Sequence, residues 1–319
     1  MDKVTAKTAQ DYGKRADALI KQANEDTKTF VFDPLKVAQW LVLRRAELSK
    51  ATWRQYRAAL VFKFTGIQQA TPEWTEELTK AILLLKQTLP PEGRPAEAKT
   101  SAQKQKKICE ADIYKLSIYL DDKNSKYGLN TLFWLMAGML TGLRPCEWEN
   151  AEIQQGTKIL RVINAKATQG RSHGEDRLIN LENLEEVYYQ IILLHLANTN
   201  KAKLNPKNKG KSGFSQFYEG SRACLYAATR ALWPRRKKFI TLYSGRHQFA
   251  ADAKYSMLSK DIIAALMGHA SNETAGSHYG RRTAGRSGFN VSASDQDVAR
   301  VIKLNQNRAE RQQSSCGPS

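Results

Sequence analysis

The chain of 319 residues has no apolar run long enough to cross a bilayer. Its most apolar stretch, Leu132 to Leu143, is twelve residues, where a spanning helix needs about 20. The opening Met1-Asp-Lys-Val-Thr starts no signal-peptide pattern. Cysteine is scarce. The four residues Cys109, Cys146, Cys224 and Cys316 are scattered, with no Cys-x-x-Cys, which speaks against a zinc site or a disulfide framework. A reducing, cytoplasmic setting is expected. No carboxylate cluster resembles that of a two-metal nuclease, and no internal repeat is present. Acidic residues are also short: 31 Asp and Glu face 50 Lys and Arg, a formal net charge of +19. Such an excess favours a polyanionic partner, nucleic acid before an anionic membrane. With 41% hydrophobic and 25% charged residues, the composition is globular and argues against wholesale disorder.

The charge is uneven. Residues 1–100 hold 17 basic and 12 acidic side chains, and residues 101–319 hold 33 and 19. Between the halves, Pro90-Pro91-Glu-Gly-Arg-Pro95 stops a helix, and Lys99 to Lys107 is polar and basic. This predicts a helical domain over 1–95, a basic linker over 96–107, a second domain over 108–290 and a tail over 291–319. The linker is read either as a solvated charge run or as a strip lying along a phosphate backbone. Before it the pattern is helical. Tyr12, Ala16, Leu19 and Ile20 share one face, Asp33-Pro34 marks a helix start, and Trp53, Tyr56, Leu60 and Phe64 are in register. The stripe of Trp40, Trp53 and Tyr56 is read as core.

After the linker the periods mix. Helices are expected over 110–120, 129–140, 184–197, 214–232, 246–255 and 260–267. Lys158–Ala165 and Arg177–Leu181 read as paired strands around a turn, and Asn198–Gly213 as a mobile loop. The whole is mainly α with a small antiparallel β-sheet. In the tail, Ser294 reads as an N-cap, with Asp295 and Asp297 near the positive end of the helix dipole. The stripe of Val298, Val301, Ile302 and Leu304 needs a covering surface, expected to be a neighbouring subunit rather than the helix's own domain.

Four segments carry chemistry-bearing residues. Thr141-Gly-Leu-Arg144-Pro-Cys-Glu147 follows the most apolar helix, with Gly142 permitting a tight turn. Tyr243-Ser-Gly-Arg246-His247 comes a hundred residues later. Leu266-Met-Gly-His269 precedes Ser277-His-Tyr279-Gly-Arg-Arg282. Each alone has a plain reading: capping arginines, a helix-ending glycine, a packing tyrosine. Their order and spacing resemble the tyrosine recombinase (phage integrase) family. Its catalytic domain carries a Thr-Gly-Leu-Arg-x-x-Glu box, a lysine on a β-hairpin, a His-x-x-Arg box, a Gly-His and a nucleophilic Tyr. The strong matches run from about Gly138 to Arg282, and the layout of the two-domain members extends across most of the chain.

The resemblance implies a helical core-binding domain and a mixed α/β catalytic domain forming a C-shaped clamp on double-stranded DNA. It also implies a tetramer on two DNA sites, and site-specific recombination or integration without metal, cofactor or ATP. Arg144 and Arg246 match the two family arginines, Glu147 the acidic residue of the first box, and Lys166 the hairpin lysine. Lys158 and Arg171 are lesser substitutes for that lysine. His269 matches the Gly-His histidine, and Tyr279 the nucleophile, with His278 its rival only in a shifted register. Tyr243 stands where the family usually has His, a change of hydrogen-bonding group. His247 reads as structural. The residue types suit the chemistry independently. Two guanidinium forks hold non-bridging phosphoryl oxygens, and fixed positive charge stabilises the transition state. A phenolic oxygen forms a covalent phosphotyrosine that conserves the bond for religation, and a lysine protonates the departing 5′ oxygen. Two other readings use the same residues: a DNA-binding protein that keeps the fold without the chemistry, and a type IB topoisomerase.

Overall fold

The computed structural model describes residue 4 and residues 6–29, 31–92, 104–122, 125–165, 167, 172–208, 210–274 and 279–315. The chain divides into two units, 1–99 and 100–319.

The first unit contains α1 (Ala6–Thr27), α2 (Pro34–Leu43), α3 (Lys50–Ala70) and α4 (Thr75–Gln87). Local chemistry sets the starts of two of these helices. Asp33 accepts a hydrogen bond from the Lys36 amide at 3.0 Å, ahead of Pro34, and Ser49 accepts one from the Thr52 amide at 3.1 Å. Each cap satisfies a backbone donor that the first turn leaves unpaired. The helices close around Leu41, Trp53, Leu60, Phe64, Leu78 and Leu85. Trp40 and Trp53 lie in this core and Tyr56 packs against it, so the aromatic stripe serves packing.

The second unit is built on α6 (Gly128–Thr141), which is apolar nearly all round and buried. Around it lie α5 (Glu110–Asp122), α7 (Glu186–Lys203), α8 (Gly213–Leu232) and α9 (Leu242–Tyr255), and α10 (Lys260–Leu266) lies against α9. Helix α9 crosses α6 closely at Gly245, where an added Cβ would lie 2.8 Å from the Leu135 carbonyl oxygen. One small sheet, with strands β1 (Glu152–Ile153), β2 (Ile159–Ile163), β3 (Asp176–Asn180) and β4 (Ser292–Ala293) in that order, is antiparallel throughout. Ile163 pairs with Asp176, so β2 and β3 form a hairpin around residues 164–175. The end of the basic stretch is bonded into this unit. The Gln105 amide donates to the Phe239 carbonyl at 2.9 Å, and that of buried Ile108 to Gln248 Oε1 at 2.8 Å.

Two segments differ from the sequence reading. Asn198–Gly213 is not a long loop. Helix α7 runs on to Lys203 because Thr199 and Ala202 continue its buried face. What remains is a short connection bridged between Asn208 and Lys211, ended by the Ser212 cap of α8. The tail forms the helix its N-cap signals, α11 (Asp295–Ser315), and the Asp297 amide donates to Ser294 Oγ at 3.2 Å. Part of its stripe, however, is covered within the same unit: Val298 and Val301 pack there, while Ile302 is left exposed. Val301 is fully buried against Ala264 and Ala265 of α10. Two alanines leave a groove that fits a valine, and Asp297 fixes the helix start by accepting from the Leu178 amide of β3 at 2.9 Å.

No helix among the described residues is long and apolar enough to cross a membrane.

Candidate active site

Three helix ends and one strand converge on a buried cluster. Helix α6 stops at Gly142, which turns left-handed at φ 69° while its amide donates to the Gly138 carbonyl. A Cβ there would enter the Phe249 ring, so glycine is needed both for the angle and for the space. The turn aims Arg144 back over the helix end. Glu147 holds it there: Oε2 accepts from the Arg144 amide at 2.8 Å, and Oε1 from its guanidinium at 2.5 Å. Arg246 rises from the first turns of α9. It donates through Nη1 to the Gly142 carbonyl at 2.5 Å, and through Nη2 to the Met267 carbonyl at 2.6 Å and to His269 Nε2 at 2.9 Å. Its Nε donates to the Tyr279 hydroxyl at 3.1 Å.

His269 is placed by the end of α10. Gly268 takes φ 62°, and the His269 amide donates to the Ala264 carbonyl at 2.9 Å. Tyr279 is held over α9 by the next residue: Gly280 lies against the His247 carbonyl, and its own carbonyl accepts from Lys254 Nζ at 2.8 Å. The Tyr279 and Tyr243 oxygens are 3.0 Å apart, and the Tyr279 ring lies 5.2 Å from that of His269. Arg144, Tyr243, Arg246, His269 and Tyr279, nominated from sequences far apart, therefore meet at one place. Lys166, its substitute Arg171 and the rival His278 lie outside the described residues. Lys158 is committed elsewhere, paired with Glu186 at 2.9 Å over the Tyr189 ring.

Burial raises the pKa of both phenols, but the outcomes diverge. Tyr243 is pushed up to about 12 by desolvation. For Tyr279 the same burial is outweighed by the Arg246 charge and by hydrogen bonds from Tyr243 and Arg246, so its pKa falls below the ordinary value. Two like groups driven apart in this way separate an acid from its partner. Burial, reinforced by Arg246 and Arg144, keeps His269 neutral, far below its usual range. Because Arg246 must donate to Nε2, the His269 proton sits on Nδ1. That nitrogen and Arg144 Nε are buried donors without an acceptor among the described residues. Beside Tyr243 and Tyr279, His247 is lowered to about 4 by burial and then by Lys106 and Lys104.

Sequence reasoning missed Arg177. It is fully buried on β3 and donates Nη2 to Glu147 Oε2 at 2.8 Å. Three buried arginines thus surround one carboxylate, with Arg246 Nη1 3.9 Å from Glu147. Desolvation opposes the Glu147 charge, but the three guanidinium groups outweigh it and hold the carboxyl well below the usual range. With His269 neutral, the cluster keeps a surplus of two positive charges. A signal for Arg177 was present: it shares the inward face of β3 with Ile179, and a charge at an inward position requires a buried partner. Among the described residues no group of His, Cys, Asp and Glu could hold a metal ion.

Comparison with solved structures identifies the fold: the chain has the tyrosine recombinase fold. The Tn1549 transposon integrase in complex with transposon right end DNA aligns over 94% of this chain and 98% of its own, at 12% identity and a TM-score of 0.51. The XerH site-specific recombinase bound to difH substrate aligns over 76% of this chain and 65% of its own, at 17% identity and a TM-score of 0.42. The XerA recombinase aligns over 94% and 99%, at 15% identity and a TM-score of 0.34. No family model and no curated protein sequence matches the chain.

Proposed function

We propose that the protein is a site-specific DNA recombinase that cleaves and rejoins double-stranded DNA through a covalent 3′-phosphotyrosine. The observation that carries this reading is the Tyr279 oxygen. It accepts from Arg246 at 3.1 Å, lies 3.0 Å from the Tyr243 hydroxyl, and belongs to a phenol of lowered pKa beside a cluster with two surplus positive charges. A phosphodiester carries one negative charge and its pentavalent transition state two, so the surplus complements the transition state better than the ground state.

In this scheme the Tyr279 oxygen attacks phosphorus as its proton is lost to solvent, the Tyr243 hydroxyl and Arg246 donate to the phenolate that forms, and the bond to the 5′ oxygen breaks. Arg144 and Arg246 clamp the non-bridging oxygens, and the unpaired Nδ1–H of His269 donates to one of them. Lys166 protonates the leaving 5′ oxygen. Religation reverses each step, which is why no ATP is needed. The net charge of +19 suits the DNA backbone, and the Tn1549 integrase of the same fold is bound to DNA. Recombination then takes place in a tetramer on two DNA sites.

A suicide substrate nicked beside the scissile phosphate tests the reading. The wild-type protein should trap a covalent adduct, and Tyr279→Phe should bind the same DNA with unchanged affinity and trap none. An adduct that persists in the variant, or maps to Tyr243 or Tyr255, overturns the assignment.

A further inference from the structure

We infer that Arg177 is a positioning residue that joins three separate catalytic segments through the three arms of one guanidinium group. Nη2 donates to Glu147 Oε2 at 2.8 Å, and Glu147 in turn orients Arg144. Nε donates to the Leu266 carbonyl at 2.8 Å, at the end of the helix that delivers His269. Nη1 donates to Asn164 Oδ1. Asn164 sits at the base of the β2–β3 hairpin and closes it by donating Nδ2 to the Gly174 carbonyl at 3.0 Å. The next residue, Ala165, donates its amide to Glu147 Oε1 at 3.3 Å, so hairpin and arginine turn share one carboxylate. The inference rests on the recombinase reading and adds a residue that touches neither substrate nor nucleophile.

Two further features follow from this arrangement. Gly268 approaches the network so closely that a Cβ would collide with Asn164 Oδ1 and lie 2.8 Å from Arg177 Nη1. The glycine before His269 is therefore required by Arg177 and Asn164 as well as by its φ of 62°. Arg177 is also wholly desolvated, which opposes its charge, and Glu147 is the counter-charge that offsets this cost. A lysine would keep a charge near Glu147 but cannot reach three acceptors in one plane.

The test uses the full chain with Arg177→Lys and Asn164→Ala, read by melting temperature, DNA affinity and single-turnover cleavage of the nicked substrate at saturating DNA. Asn164→Ala cuts one tie and leaves the charge cluster whole, so it decides the matter if Arg177→Lys does not fold. The expected result is unchanged DNA affinity with cleavage slowed about a hundredfold for Arg177→Lys and about tenfold for Asn164→Ala, as for a misplacement of about 1 Å at the reacting groups. A purely structural role would lower melting temperature without slowing cleavage by the folded fraction. Cleavage by folded variants within about threefold of wild type overturns the inference. If the wild-type protein itself traps no adduct, the recombinase reading has failed, and this inference with it.

Discussion

Replacing Glu147 by glutamine keeps the side chain's shape and removes its charge. Each carboxylate oxygen accepts two hydrogen bonds: Oε1 from the Arg144 guanidinium and the Ala165 amide, Oε2 from the Arg144 amide and Arg177. Neither orientation of an amide serves, because its NH₂ would face two donors in either case. Three buried arginines would also lose the one negative charge among them. Leaving a buried charge uncompensated costs about 3–5 kcal/mol. For a unit the size of 100–319, each kcal/mol lowers the melting temperature by about 2–4 °C. The expected loss is therefore about 6–20 °C, read by thermal unfolding followed by circular dichroism. Sulfate should recover part of the loss in the variant, since an anion can replace the missing charge. A melting temperature within about 2 °C of wild type would refute the reasoning.

Gly268→Ala should lose about 1–2 kcal/mol for the left-handed backbone alone and more for the collision with Asn164, measured by urea unfolding; a change of sign would mean the turn is not held as described. Val301→Asp should free the tail helix, because Val301 is fully buried while Ile302 is 40% exposed. Limited proteolysis should then cleave α11 in Val301→Asp but not in Ile302→Asp, and equal resistance in both would show that the stripe is not covered in this way. Acid should destabilise the second unit through its histidines. Burial lowers His195 from 6.5 to about 3 and His247 to about 4. The unfolded chain takes up protons below 6.5 while the folded one does not, so this stability is complete above that pH and is lost as pH falls toward 4 and 3. Each histidine contributes at most about 1.4 kcal/mol per pH unit. Urea midpoints that stay flat from about pH 7 to pH 5 would contradict this, and His195→Phe should remove part of the slope.

Much of the fold was legible because it is written in local chemistry. Asp33-Pro34 and Ser294 cap the helices they announce, since a cap is a bond between residues three apart. The alternation in Ile159–Ile163 and Asp176–Asn180 shows as a hairpin because side chains on a strand take opposite faces. Gly142 could be read as a turn because few other residues take its backbone angle. The order of Arg144, Arg246, His269 and Tyr279 could be read from spacing, and the structure brings them together.

Other features belong to the tertiary structure alone. That α7 runs to Lys203 depends on the neighbours of Thr199 and Ala202, and the polar composition of 198–213 conceals this. The tail stripe states that a cover is needed; only the Ala264–Ala265 groove decides which surface supplies it. Arg177 is the strongest case. Its sequence position shows a charge facing inward, but its partners are 30, 13 and 89 residues away. A hydrogen bond depends on distance in space, and sequence spacing predicts that distance only within one helix or one hairpin. The charge balance around Glu147 was therefore decided where three chain segments met, beyond the reach of any local pattern.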